Sequence, residues 1–256
     1  MAPGNIYSSK GYNVRYGALA PIYDRIMSHV EYDEWILLLQ KIAKKHIKKD
    51  AISIFELGGG TGILGEKLIN LGYKYIGSDY SYFMSREAIK RKLPFLCADA
   101  RSLPIKKQFD IVLFLYDGIN YLNSVDEYRL LFNQVADCME GGGIFLFDIT
   151  TEYNSVNHFY DILDYEDYDD CSVIRHSYYN ELTTTQHNDF TIFAHQKNTE
   201  FYKKFTDKHE QKVFPPQMIE EVIPGSKFDI VGIWDDFKMK KYTSRSERIH
   251  FCLRRK

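Results

Sequence analysis

Residues 54–68 read IFELGGGTGILGEKL. A short apolar run, Ile52 to Leu57, carries a carboxylate, Glu56, near its end. Five glycines follow within eight residues: Gly58, Gly59, Gly60, Gly62 and Gly65. The run has the length of a buried strand. Leu64, Leu68 and Leu71 then share one face of a helix that Gly72 stops. A strand passing through a glycine-rich turn into a helix is the opening unit of a doubly wound sheet. In such sheets ligands bind beyond the C-terminal strand ends, where the strand order reverses. Glycine lets the turn bend sharply and lets a ligand touch the main chain.

The same alternation continues downstream. Tyr75 to Asp79 reads as a second strand, and Ser81 caps a helix to about Lys92. Phe95 to Ala98 and Phe109 to Leu115 are strands three and four. Ser124 to Glu127 (SVDE) is a capping box before a helix carrying Leu130, Leu131, Val135 and Met139. Gly141, Gly142 and Gly143 are expected to end that helix, with Ile144 to Asp148 as strand five. Upstream, Tyr32, Trp35, Ile36, Leu39, Ile42, Ala43 and Ile47 recur at helical spacing. The tail KKHIKKD (44–50) places cations where the helix dipole favours them.

After Asp148 the pattern breaks. Two antiparallel strands are expected near Ser172 to Tyr179 and Phe190 to His195, beside the acidic run DILDYEDYDD (161–170). A helix restarts at FPPQMIEEVI with Pro216 in its first turn, and Phe228–Trp234 and Arg248–Leu253 close the sheet. The expected architecture is α/β: a doubly wound, Rossmann-like, seven-stranded, mostly parallel sheet with helices on both faces and an antiparallel β insertion after strand five. One domain spans 1–256. It comprises a helical cap (1–50), a cofactor-binding core (51–150), a substrate-cover insertion (151–214) and a closing helix and strand hairpin (215–256).

Composition narrows the classes. A formal charge of −2 argues against a nucleic-acid partner, since such domains are usually strongly basic. The longest apolar runs, such as Ile111 to Tyr116, are too short to span a bilayer, so no membrane partner and a cytoplasmic location are expected. The cysteines Cys97, Cys138, Cys171 and Cys252 lie far apart, without the spacing of a metal site or a disulfide framework. No metal is expected. Tyr (20) and Phe (17) are abundant enough to wall aromatic pockets.

Two cofactor classes fit the glycines. Gly60 to Gly65 matches G-x-G-x-x-G, with Asp79 nearly twenty residues on, as a dinucleotide site requires. That register is awkward, because Gly58 and Gly59 intervene after the strand. Glu56 to Gly62 matches E-x-G-x-G-x-G. A dinucleotide would bring a pyrophosphate to this turn, and a nearby buried carboxylate repels it. A cofactor with a cationic amine and no phosphate suits that acid, and S-adenosylmethionine is one. Asp79 is then placed to accept both ribose hydroxyls. Asp99 can accept from the adenine amino group, the Ala100 N–H can serve a ring nitrogen, and Tyr80 can stack on the adenine.

ELGGGTG, the acid in IGSDYS, the ADA segment, FDIVLFLYDGINYL and GGGIFLFDI together resemble class I S-adenosylmethionine-dependent methyltransferases. YGALAPIYDRIM (16–27), VEYDEW (30–35), DGINYL and SERIHFCLRRK resemble the bacterial small-molecule branch of that fold. Gly59 stands where such relatives often carry Cys or Ala, a change expected to make the loop more flexible. The resemblance implies that Tyr16 reaches the methionine carboxylate and that the backbone at Leu115 and Tyr116 accepts from the cofactor ammonium. The loop backbone at Gly58 and Gly60 lies against the cofactor.

Methyl transfer from a sulfonium is an in-line displacement with an activated donor, so the protein mainly supplies position and excludes water. No catalytic triad is visible, and the catalytic residues stay unassigned. Tyr23, Trp35, Asn120 and Tyr121 are candidate walls for a small-molecule acceptor. Aromatic walls favour cations and the insertion is acidic, so an amine acceptor is the working expectation. Five of the eight histidines lie in the insertion, where one can touch substrate. The alternatives are an NAD(P)-dependent oxidoreductase, a non-catalytic cofactor-binding subunit and an RNA methyltransferase using a local basic patch at Lys238 to Arg245. A monomer and a homodimer are both compatible with the sequence.

Overall fold

The structure, a computed structural model, describes residues 15–256; the first fourteen residues of the expected cap lie outside the described residues. A 3₁₀ turn at Ala20–Ile22 runs into α1 (Tyr23–Ile26), and α2 spans Tyr32–His46. The core then follows as β1 (Ser53–Glu56), α3 (Ile63–Asn70), β2 (Lys74–Asp79), α4 (Tyr82–Lys90), β3 (Phe95–Cys97) and β4 (Phe109–Phe114). A 3₁₀ turn at Gly118–Tyr121 leads to α5 (Val125–Asp137) and β5 (Met139–Thr150). After α6 (Glu152–His158) come β6 (Asp161–Tyr168), β7 (Cys171–Asn180), β8 (Thr185–His195) and β9 (Tyr202–Lys212). The chain closes with α7 (Pro216–Val222), β10 (Phe228–Asp235) and β11 (Arg248–Arg255).

The main sheet has the order β10-β11-β5-β4-β1-β2-β3. β1 pairs in parallel with both β2 and β4, while β11 runs antiparallel to β5 and β10. Strand order therefore reverses between β1 and β4, and a crevice opens at their C-terminal ends. Both faces are covered. Trp35, Ile36, Leu38, Leu39, Ile42 and Ala43 of α2 pack with Leu64 and Leu68 of α3 on one side. On the other, Tyr128, Leu131, Phe132 and Val135 of α5 and Ile219 of α7 meet Phe145, Phe147 and Phe251. Full burial of each such side chain contributes about 1.5–3 kcal/mol, which fixes the sheet as a rigid floor for the site.

Two expectations are corrected here. The glycines at 141–143 do not end α5, which stops at Asp137 with Cys138 as its C-cap. They lie inside β5 instead, and Met139 begins that strand. Pairing with β4 jumps from Phe109↔Met139 to Ile111↔Ile144, and Gly142 at φ 79° absorbs the bulge. The insertion contains four strands, not two, in a second antiparallel sheet of order β6-β7-β8-β9. The acidic run supplies the edge strand β6, because its carboxylates find partners on β7: Arg175 for Asp164, His176 for Asp161 and Ser172 for Asp167. Leu19, Ile22 and Ile26 of the N-terminal segment pack on the inner face of this sheet, against Cys171, Val173 and Ile192.

Candidate active site

The turn after β1 is shaped by what passes beneath it. The Gly59 N–H donates to the Ser78 carbonyl at 2.9 Å. A Cβ on Gly59 would stand 2.9 Å from Glu56 Oε2, so glycine here gives the carboxylate room to fold under the loop. That is a packing role, beyond the flexibility expected from sequence. Gly62, at φ 85°, caps α3, and a Cβ there would meet Leu93 Cδ1 at 2.4 Å.

Glu56 is buried and accepts from the Tyr75 hydroxyl. Burial pushes its carboxyl up to about 7, against the stabilising hydrogen bond from Tyr75 and with help from Asp79. It faces a cavity of about 60 Å³, bounded by Tyr23, Trp35, Gly58, Gly60, Leu115 and Tyr116 among others. Asp79, at the end of β2, accepts from Gly60 N at 3.0 Å and from Ser81 N at 2.7 Å. Burial raises it to about 6, while those two backbone donors pull it down. Each carboxylate oxygen keeps a lone pair for a ligand.

Asp79 opens into a larger cavity of about 370 Å³, the size of a small-ligand pocket. Tyr16, Tyr23, Gly58, Gly60, Tyr80, Asp99, Ala100, Leu115, Tyr116 and Tyr121 line the same space. Tyr80 is half exposed at its rim. Glu56 is the one expected cofactor residue absent from this lining; it lies across the glycine turn. Asp99 is held by Arg101, which donates from Nε at 2.9 Å and Nη2 at 2.7 Å. These bonds, first of all, keep the Asp99 carboxyl below the usual range. Arg101 also pairs with Glu127 on α5, a clamp that the sequence reading missed although it lies two residues from Asp99.

A third cavity, about 230 Å³, lies between the C-terminal ends of β4 and β5 and the second sheet. It shares Tyr16, Tyr23, Tyr116 and Tyr121 with the larger one. Trp35 touches only the smallest cavity. Asn120 is a correction: it lines none of the three. It is buried, donating to the Lys212 carbonyl at 2.9 Å and accepting from Thr150 N at 3.1 Å, so it ties the 3₁₀ turn to β5 and β9. The acidic run does not line the third cavity either. The acid in its lining is Asp117, with His209 and Gln211 of β9 beside it, and its cations are Arg175 and Arg248.

Arg248 of β11 organises this wall. Its Nη1 contacts Asp117 Oδ1 at 3.1 Å and also Asp148 Oδ2. Asp117 N donates to Asp148 Oδ2 at 2.9 Å, and Gln211 Nε2 to Asp117 Oδ2 at 2.6 Å. One fully buried and one partly buried carboxylate thus share one guanidinium. Burial raises both, and Arg248 opposes the rise. Tyr116 and Asp117 both take left-handed backbone, at φ 61° and 51°. Such conformations cost on the order of 1–3 kcal/mol each outside glycine and persist only where surroundings hold them; here Arg248 and Gln211 do so.

A reversed-order parallel sheet, an acid beneath a glycine turn and a second acid ending the next strand resemble the cofactor site of class I S-adenosylmethionine-dependent methyltransferases. Comparison with known proteins agrees. Residues 54–143 match the family model described as methyltransferase domain. The chain is 28% identical over 242 residues to YqeM of Bacillus subtilis (strain 168), covering 92% of this chain and 95% of that one; that protein's assignment as a methyltransferase is itself a proposal. An S-adenosylmethionine-dependent methyltransferase from Clostridium acetobutylicum superposes with a TM-score of 0.79 at 24% identity, over 93% and 98% of the two chains. The sugar N-methyltransferase KedS8 from Streptoalloteichus shares the fold at a TM-score of 0.76 and 17% identity, over 100% and 99%. These likenesses favour the S-adenosylmethionine register of the glycine turn over the dinucleotide one. Among the described residues no helix is long and apolar enough to cross a membrane.

Proposed function

We propose that the protein methylates the nitrogen of a small amine. The observation that carries this reading is the charge of the third cavity. Asp117 in its wall and Asp148, fully buried behind that wall, share the single guanidinium of Arg248, while Arg175 is neutralised by its two-point pairing with Asp164. The surplus is negative, and four tyrosines supply ring faces that attract cations. An ammonium suits such a space better than a neutral hydroxyl. The fold shared with a sugar N-methyltransferase supports the same direction without defining the acceptor.

The cofactor, when bound, supplies a methyl group already activated on a sulfonium. In this reading Asp79 accepts from the ribose hydroxyls, and Tyr80, Asp99 and Ala100 bound the adenine. The carbonyls of Leu115 and Tyr116, with Glu56 behind the glycine turn, favour the ammonium of the amino-acid tail. Arg15 lines the same cavity and is suited to the carboxylate. The Tyr16 hydroxyl lies 2.6 Å from that of Tyr121. The shared tyrosine wall aligns acceptor and donor and keeps water out, and such orientation contributes roughly 7–11 kcal/mol. A panel of small amines, alcohols and carboxylates assayed with methyl-labelled cofactor tests this. Label is expected in amines; incorporation confined to hydroxyls or carboxylates would overturn it.

A further inference from the structure

Resting on the amine reading, we propose that Tyr121, backed by His209 and Asp207, takes the proton an ammonium acceptor must lose before its nitrogen can attack. The first sign is the inner face of β9. Asp207, His209 and Gln211 are buried, while Thr206, Lys208 and Glu210 between them are exposed. A buried strand face is ordinarily apolar, because buried polar groups cost free energy unless bonded. Three in a row at every second position mark a face built for chemistry.

Their contacts form a line. His209 Nδ1 lies 3.2 Å from the Tyr121 hydroxyl, and its Nε2 lies 3.3 Å from Asp207 Oδ1. The Nε2 approach is off the hydrogen-bond direction. Nε2 and Asp207 Oδ2 have no hydrogen-bond partner among the described residues. The Tyr16 ring packs on the imidazole at 4.1 Å, and Phe190 of β8 meets it edge-on at 5.7 Å. Asp117, Asp79 and Arg15 are the charged groups that act on Tyr121. His209 and Tyr121 both line the acceptor cavity, and Tyr121 also lines the cofactor cavity.

Proton bookkeeping follows from donor and acceptor rules. A neutral imidazole donates from one nitrogen and accepts at the other. Asp207 beside Nε2 favours the proton there, so Nδ1 accepts from the Tyr121 hydroxyl. The phenol oxygen then accepts from Tyr16 and has a second lone pair for the acceptor. Burial holds the Tyr121 phenol well above its ordinary range, so it passes a proton on rather than standing as a phenolate. The acceptor N–H proton moves to the Tyr121 oxygen as the Tyr121 proton moves to His209 Nδ1. The resulting imidazolium faces Asp207. The freed nitrogen pair forms the N–CH₃ bond, the S–CH₃ bond breaks, and its electron pair stays on sulfur.

Two measurements on the full chain with S-adenosylhomocysteine bound decide the point. In ¹⁵N-histidine NMR near neutral pH, His209 is expected to carry its proton on Nε2, with Nδ1 bare and its resonance moved by Tyr121→Phe. A proton on Nδ1 would overturn the relay. On an amine that the wild type methylates, His209→Gln is expected to lower kcat on the order of 10²-fold or more, with KM and S-adenosylhomocysteine affinity little changed. The deficit should shrink as pH rises and the amine deprotonates unaided. A kcat within about threefold of wild type at neutral pH would also overturn it, since base catalysis contributes more than that. If no amine turns over, the amine reading falls and takes the relay with it, whereas amine turnover with a proton on Nδ1, or with His209→Gln near wild type, sinks the relay alone.

Discussion

Arg248→Ala is expected to lower the unfolding free energy by about 3–5 kcal/mol, the cost of leaving a buried charge without its partner. Asp148 is fully buried, with Oδ1 unpartnered among the described residues and Oδ2 shared by Arg248 and Asp117 N. Asp117 loses the same cation. Partial exposure of the guanidinium, at 21%, places the loss toward the lower end of that range. Both carboxyls already sit above their ordinary range through burial, and the substitution raises them further. A carboxyl with a raised folded-state pKa favours folding most when protonated. The gap between variant and wild type should therefore widen as pH rises. Urea denaturation at acidic and alkaline pH measures it. A loss under about 1 kcal/mol at both would show that water, not Arg248, neutralises the two acids.

Asp79→Ala should weaken S-adenosylhomocysteine binding by about 1.5–3 kcal/mol, or roughly 10- to 150-fold in Kd, the range for hydrogen bonds to a charged group. Part of this comes from the loop, since Asp79 also holds Gly60 N and Ser81 N. Asp79→Asn separates the contributions by keeping the shape and removing the charge. Wild-type affinity should rise with pH as Asp79 (about 6) and Glu56 (about 7) ionise in the free protein, then level off. The ligand-free protein shows the opposite trend. These two groups contribute most to stability when protonated, and their contribution falls as pH climbs from about 4, the ordinary carboxyl value, through about 7. Calorimetric titration across that window checks both signs. An unchanged Kd in folded Asp79→Ala would move the ribose elsewhere.

The turn after β1 was legible because its chemistry is local. Glu56, the glycines and Asp79 each sit at a strand end that the apolar pattern locates. The partners of these groups were not legible. Tyr75 reaches Glu56 from a neighbouring strand, and its side chain passes close to Gly65 and Gly77, where any Cβ would lie within 2.4 Å of it. The second sheet was half seen, since β6 and β9 lack the apolar alternation of a half-buried strand. On β9 the polar residues occupy the inward positions, so the usual signal reads as surface. The spacing Asp207, His209, Gln211 was the available clue, and it needs the position of Tyr121 to acquire meaning. Asn120 misled because DGINYL places it beside Tyr121, while the 3₁₀ turn points the two side chains to different sides.

The junction of Arg248 with Asp117 closes across 131 residues, and β11 is the last strand of the sheet in chain order. Among the described residues, Arg248 is the cation that pairs with Asp117. Until β11 docks, the sheet therefore lacks the strand that joins β5 to β10, and the turn after β4 lacks its latch. Pulse-labelled hydrogen exchange during refolding should find the amides of Gly118–Tyr121 protected no earlier than those of β11; earlier protection would refute this order of assembly.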